Sequence, residues 1–195
     1  MNERRKWNER YQATGYRHGT EPPPLLLEVA PLLPEGGTAI DLACGEGQAA
    51  VYLASRGLST VGLDISDVAL EKGRRLAEEK GVEVHFEQAD LSTHELPHEA
   101  FDVIHCAHYL CRDLVPRIRQ ALRPGGTVVM EMLVTGRHPG HEIPPRYLVD
   151  RNEVLRWFID FWVLFYREGW GEARGVAQIA ARKPLPASAG RGSEG

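Results

Sequence analysis

Apolar and polar positions alternate along this chain in blocks of two kinds. Short, nearly continuous apolar runs at 38–43, 59–63, 82–87, 101–106 and 127–133 read as buried strands. Between them, 47–56, 67–80 and 112–122 read as helices, with Ser66 or Asp67 suited to cap the second and Gly81 suited to end it. Strands alternating with helices predict right-handed crossovers and a parallel sheet. The last third differs: 150–158 reads as a helix, and 161–168 and 175–183 read as strands with Gly169 and Gly171 between them, a predicted hairpin. At the start, 1–21 is polar with interspersed aromatics, a short helix and a loop, and Pro22-Pro-Pro24 opens an apolar helix. The aromatic cluster Trp157, Phe158, Phe161, Trp162 and Phe165 is expected in the core, and 184–195, rich in Pro, Ala, Gly and Ser, is expected to be disordered. The whole reads as one domain over 1–183, with 1–33 a helical lid segment.

The first strand carries an odd residue. Asp41 interrupts an apolar run that leads into Gly45 and Gly47, and a carboxylate is costly to bury without a partner. A cationic or hydrogen-bond-donating ligand nearby is a natural explanation. Gly45-x-Gly47-x-x-Ala50 fits the glycine pattern by which a backbone loop approaches a nucleotide. The second strand ends at Asp64, spaced to accept hydrogen bonds from ribose hydroxyls, and the third stretch ends at Asp90. Nicotinamide dinucleotides and S-adenosylmethionine share this much. Charge separates them: Asp41, Glu46, Asp64 and Asp90 would repel a pyrophosphate and suit a sulfonium and an ammonium.

On these residues the chain resembles a class I S-adenosylmethionine-dependent methyltransferase over nearly its whole length. Asp41-Leu-Ala-Cys-Gly-Glu-Gly47 resembles the first motif, Gly62-Leu-Asp64-Ile-Ser66 the second and Gln88-Ala-Asp90-Leu91 the third. Phe101-Asp-Val-Ile-His-Cys106 resembles the fourth strand, and Leu122-Arg-Pro-Gly-Gly-Thr-Val-Val-Met-Glu131 the turn and fifth strand. More narrowly it is similar to the small tellurite-resistance-type group, through Trp7-Asn-Glu-Arg-Tyr11, Tyr109-Leu-Cys-Arg112, Tyr166-Arg-Glu-Gly169 and Ala181-Arg-Lys183. That group carries Gly-Glu-x-His in its C-terminal hairpin where this chain reads Gly171-Glu-Ala-Arg174. If that His serves the oxyanion acceptor, tellurite is not the acceptor expected here.

The resemblance implies an α/β fold, Rossmann-like and doubly wound, with a mostly parallel seven-stranded sheet and a C-terminal antiparallel hairpin. It implies S-adenosylmethionine as cofactor. The Gly45–Gly47 loop would lie under the methionine part, with Asp41 holding the amino group directly or through water. Asp64, followed by Ile65, would accept the ribose hydroxyls, and Asp90 and the Leu91 backbone would contact adenine. The Cys106 carbonyl would lie near the methionine end. Arg10 or Tyr11 would close over the cofactor, with Arg10 facing its carboxylate.

Bulk properties narrow the partners. The formal net charge of −4 and pI near 6.1 argue against broad binding to nucleic acid. Glu28 and Pro31 interrupt the longest apolar stretch, 25–33, so no membrane span is expected, and the first residues lack the apolar centre of a signal peptide. Three cysteines, Cys44, Cys106 and Cys111, make no disulfide framework, and a reducing cytoplasm is the simple expectation. A monomer or homodimer is expected.

Methyl transfer from a sulfonium is an in-line displacement with a good leaving group. Alignment and exclusion of water carry much of the work, and a base is needed only where the acceptor must lose a proton, so none is nominated. Acceptor-side candidates are Tyr16, His18, His108, Tyr109, Arg112, His138, His141, Arg146, Tyr147 and Arg174. Arg112, Arg146 and Arg174 together would favour an anionic acceptor. His105, Cys106, His108 and Cys111 lack a standard zinc spacing, and no metal is expected. The leading function is a methyltransferase for a small-molecule or oxyanion acceptor. The rivals are an NAD(P)-binding Rossmann oxidoreductase, a nucleic-acid methyltransferase and a non-catalytic S-adenosylmethionine-binding protein.

Overall fold

Strands β1 (Gly37–Leu42), β2 (Leu58–Asp64), β3 (Val84–Gln88), β4 (Phe101–Ala107), β5 (Leu122–Leu133), β6 (Trp162–Trp170) and β7 (Gly175–Arg182) form one sheet in the order β3-β2-β1-β4-β5-β7-β6. The first five pair in parallel, and β7 pairs antiparallel with both β5 and β6. The strand order reverses beside β1, so the ends of β1 and β4 flank the crevice where ligands of such sheets bind. This computed structural model describes residues 3–136, 143–170 and 175–186.

Alternation along β1 sorts the two layers. Ile40 and Leu42 join Ile104 and Met130 in the core beneath α5 (Leu114–Ala121) and α6 (Glu153–Trp157). Ala39 points the other way, with Val103 and Val129, against α2 (Pro24–Glu28) and α3 (Gln48–Ser55). Cys44, Ala50, Leu70, Leu76 and Phe86 fill the space between α3, α4 (Asp67–Lys80) and β3. The short helix α1 (Glu3–Tyr11) lies against α4: Arg4 and Asn8 both donate to Asp67, at 3.2 and 2.7 Å.

The doubly wound, mostly parallel seven-stranded fold expected from the sequence is the fold observed. The caps of α4 are the ones foreseen: Ser66 Oγ accepts from Ala69 N at 3.1 Å, and Gly81 closes the helix at φ 66°. Three details differ. β5 begins at Leu122, not near 127, because Phe101 pairs with Leu122 and a register shift absorbs Pro124-Gly-Gly126. α6 is confined to Glu153–Trp157, since Asn152 before it is left-handed at φ 57°. Of the aromatic cluster, Phe158 and Phe161 are buried, but Trp162 stands 56% exposed on edge strand β6. The hairpin turn 171–174 and residues 187–195 lie outside the described residues, and 184–186 form neither helix nor strand.

Candidate active site

The site is built from the segments that leave the ends of the parallel strands. At the end of β1, Asp41 is 2% exposed, and its carboxylate is satisfied within the protein. Oδ2 accepts from Ala50 N at 3.1 Å, and Oδ1 lies 2.6 Å from Nδ1 of His105. His105 is the in-register neighbour of Asp41 on β4, so both side chains leave the same face of the sheet. The buried carboxylate therefore needs no ligand to explain it, which corrects the expectation from the sequence.

The chain then turns through Gly45, left-handed at φ 54°. A Cβ there would stand 2.8 Å from the Tyr11 hydroxyl, so α1 delivers Tyr11 directly onto the bare face of the loop. Asp64, at the tip of β2, holds the loop from the other side. Its Oδ2 accepts from Gly45 N at 2.8 Å and its Oδ1 from Ser66 N at 2.8 Å. Burial pushes the Asp64 carboxyl above its ordinary range, and the Ser66 and Gly45 amides pull against that shift. Burial, and after it the Asp64 charge, pushes the Tyr11 phenol far up as well, so Tyr11 remains a neutral hydroxyl.

The remaining cofactor-side residues gather along the same edge. Ile65 O accepts from Gln88 Nε2 at 3.0 Å, and Asp64 O accepts from Ala89 N at 3.0 Å, which brings Asp90 beside them. Asp90 is exposed, and the Ser92 hydroxyl and amide, at 2.7 and 3.0 Å, hold its carboxyl below the usual range. Leu91 is buried. Cys106 is buried, and desolvation raises its thiol so far that it stays protonated. Gly47 starts α3 at φ 81°. Arg10 is exposed and lies over the Trp7 ring, 4.8 Å from its centroid.

Glu46 has a role that the sequence did not disclose. Its side chain is fully buried and 3.0 Å from Lys72 Nζ. It accepts from Arg17 N at 2.8 and 3.1 Å, while Lys72 Nζ donates to Ala13 O and Gly15 O at 2.9 and 2.6 Å. Gln48 Nε2 adds a bond to Gly19 O at 2.7 Å. The buried ion pair thus ties residues 13–19 across the glycine loop. It also removes Glu46 from the acidic rim. Of the four acids foreseen there, Asp41, Glu46 and Asp64 are buried against protein partners, and Asp90 is exposed.

The acceptor-side candidates divide. His108 and Tyr109 come after β4 at the edge, and His108 Nε2 is 3.0 Å from Glu131 Oε1. Tyr109 packs on the main core. Tyr16 does not join them: its hydroxyl reaches Glu79 Oε1 and Lys72 O, at 3.4 and 3.5 Å, along the outer half of α4. Arg112 meets Glu153 with both ends of its fork, at 2.6 and 3.0 Å, which commits the guanidinium to a carboxylate of the protein. Arg146 lies over the Tyr147 ring, 4.7 Å from its centroid, and Lys6 Nζ comes 3.4 Å from the Tyr147 hydroxyl, linking α1 to the 145–147 turn. His18 lies on the tied segment. Arg174, His138 and His141 lie outside the described residues. Among the described residues no three His, Cys, Asp or Glu gather as metal ligands, and no helix is long and apolar enough to cross a membrane.

A family model described as a methyltransferase domain matches residues 39–126, the span from the buried end of β1 through the glycine loop to the turn within β5. The fold is that of the class I S-adenosylmethionine-dependent methyltransferases, and the matched span is similar to their domain. The chain is 31% identical over 144 residues to trans-aconitate 2-methyltransferase of Variovorax paradoxus, covering 70% of this chain and 54% of that protein. It spans about half the length of the curated relatives it matches. Its fold is shared with an S-adenosylmethionine-dependent methyltransferase from Mesorhizobium loti, at TM-score 0.64 and 22% identity over 80% of this chain and 96% of that one. It is shared also with TehB from Haemophilus influenzae, at TM-score 0.69 and 17% identity over 92% of this chain and 66% of that one.

Proposed function

We propose that the protein transfers a methyl group from S-adenosylmethionine to a small-molecule acceptor by in-line displacement. The observation that carries the reading is the Asp64 carboxylate, which bridges the amides of Gly45 and Ser66 at the mouth of the crevice, under Tyr11. A buried carboxylate kept above its ordinary pKa gains from hydroxyl donors, and a ribose diol supplies two. The site residues fit the donor: a glycine loop without side chains under the Tyr11 ring, an acid at the tip of β2 and exposed Asp90 after β3. Asp64 and Ile65 would hold the ribose, Asp90 and Leu91 the adenine, and Gly45, Gly47 and the Cys106 backbone the methionine part. Tyr11 and Arg10 would cover it from α1. When bound, the donor supplies a methyl carbon attached to a cationic sulfur. Asp41 would act behind the loop rather than on the amino group, because its oxygens meet His105 and Ala50.

The relative's name points to a small organic acceptor rather than to nucleic acid, and the net charge of −4 agrees with that. An acceptor gripped by three arginines is the weaker version, since Arg112 is held by Glu153. Calorimetric titration tests the reading: S-adenosylhomocysteine should bind and NAD should not. Tight binding of NAD with none of S-adenosylhomocysteine would overturn it.

A further inference from the structure

His108 is the first residue beyond β4, two positions past Cys106, which pairs with Leu42 at the root of the glycine loop. It is not a glycine, yet its φ is 58°. That left-handed backbone is uncommon for such a residue and is retained where the surroundings fix it. Here the fixing contacts come from one residue of β5. His108 N donates to Glu131 O at 2.8 Å, and the imidazole Nε2 lies 3.0 Å from Glu131 Oε1. Glu131 is itself braced: Gln178 donates to its other oxygen, and Arg167 Nε donates to Gln178 Oε1 at 2.8 Å. Glu131, Gln178 and Arg167 are in-register neighbours across β5, β7 and β6, so the brace is built into the sheet. It ends in a two-point contact between Arg167 and Glu28 of α2, at 3.2 and 2.8 Å.

A carboxylate only accepts hydrogen bonds, so the geometry assigns the neutral ring its proton on Nε2 and leaves the lone pair on Nδ1. The side chain is 39% exposed and follows the carboxyl end of β4, beside the crevice flanked by β1 and β4, while Glu131 is 15% exposed. We propose that His108 is the proton acceptor of the reaction and Glu131 its positioning residue, so that the methyl acceptor is a hydroxyl or thiol compound that must lose a proton. This rests on the methyltransferase reading and specifies its substrate class. The O–H or S–H bond breaks and the proton passes to Nδ1. The electron pair left on oxygen or sulfur forms the new bond to the methyl carbon, and the pair of the broken carbon–sulfur bond stays on the donor's sulfur. The imidazolium that forms is stabilised by Glu131.

The test uses the full chain with methyl-labelled S-adenosylmethionine and a panel of phenols and thiols, beside pyridines and thioethers, which have no proton to lose. Label should appear on a phenol or thiol. His108→Gly suits the left-handed turn and so keeps the fold. It should bind S-adenosylhomocysteine as the wild type does, lose about 10²- to 10⁴-fold in turnover, and regain part of that with free imidazole. In the ligand-free protein, long-range ¹H–¹⁵N spectra should show the His108 proton on Nε2. Undiminished turnover in His108→Gly, a loss that imidazole does not restore, a proton on Nδ1, or label confined to pyridines and thioethers would each overturn the assignment. A chain that binds S-adenosylhomocysteine but labels no phenol or thiol sinks the assignment alone. One that does not bind it sinks the underlying methyltransferase reading too.

Discussion

His105 Nδ1 and Asp41 Oδ1 meet at 2.6 Å across neighbouring strands, both side chains almost fully out of solvent. The contact explains how a carboxylate can stand inside a central strand: the sheet itself supplies the partner, and Ala50 N of α3 supplies the other. Breaking such a pair from one side is costly, because the remaining group keeps its desolvation penalty. His105→Ala should lower stability by about 3–5 kcal/mol in urea unfolding. Asp41→Ala with His105→Ala should cost less than the two single changes added together, since neither group is then orphaned. Strict additivity would show that the two side chains do not depend on each other.

That pair marks the boundary of what the sequence discloses. The glycine turn, Asp64 at a strand tip and the Ser66 cap are local, and their spacing along the chain is nearly their spacing in space. The partners of Asp41, Glu46 and Arg112 are not local. They lie 64, 26 and 41 residues away, and only the pairing of β1 with β4, the packing of α4 and the placing of α6 bring them close. Buried Asp41 could therefore be read as awaiting a ligand, and Glu46 as part of an open acidic rim. Arg112 could be read as free for an anion for the same reason. Tyr16 misled differently: its neighbours in the chain approach the site, but its ring turns onto α4. A hint existed for Glu46. A glutamate placed between two glycines of a buried loop is as much in need of a partner as Asp41, and Lys72 falls on the inner side of the predicted helix 67–80.

The Glu46–Lys72 pair should control the N-terminal segment. Lys72→Met removes the cation from a fully buried carboxylate and two donors from Ala13 O and Gly15 O. The expected loss is roughly 3–5 kcal/mol of stability. Glu46→Gln is milder, because an amide oxygen still accepts from Arg17 N. In both variants amide exchange at residues 13–18 and tryptic cleavage after Arg17 should accelerate ahead of global unfolding. Exchange that rises only with global unfolding would show that the pair does not hold the segment.

Asp64 gives ligand binding a pH dependence of definite sign. Its pKa is raised above the ordinary value of 3.8, so the folded chain holds that proton more tightly than the unfolded chain. The stabilising contribution is present in full below 3.8 and is lost as pH rises through the raised value. Ribose hydroxyls donate to the ionised form and oppose that trend. Affinity for S-adenosylhomocysteine should therefore fall as pH drops through the raised Asp64 pKa. Asp64→Asn should flatten the profile and weaken binding at neutral pH by about 1.5–3 kcal/mol, roughly 10- to 150-fold. Calorimetry as a function of pH reads both effects, and an unchanged slope in Asp64→Asn would assign the dependence to another group.

Gly45 and Tyr11 offer the sharpest separation of backbone from side-chain effects. Gly45→Ala places a Cβ on a left-handed residue at φ 54°, a strain of about 1–2 kcal/mol, and sets that carbon 2.8 Å from the Tyr11 hydroxyl. The next atom of the ring, Cζ, would be 3.6 Å away, which is ordinary contact. Removing only the hydroxyl should therefore relieve the clash and leave the backbone strain. In thermal unfolding, Gly45→Ala with Tyr11→Phe should be less destabilised than the sum of the single variants, with a remainder near the 1–2 kcal/mol of the left-handed turn. Donor binding should respond in the same order, because the ring that α1 lays on the loop is displaced in Gly45→Ala and restored in the double variant. If the double variant is as impaired as the sum of the two, Tyr11 does not rest on Gly45 in solution, and the covering role given to α1 is wrong.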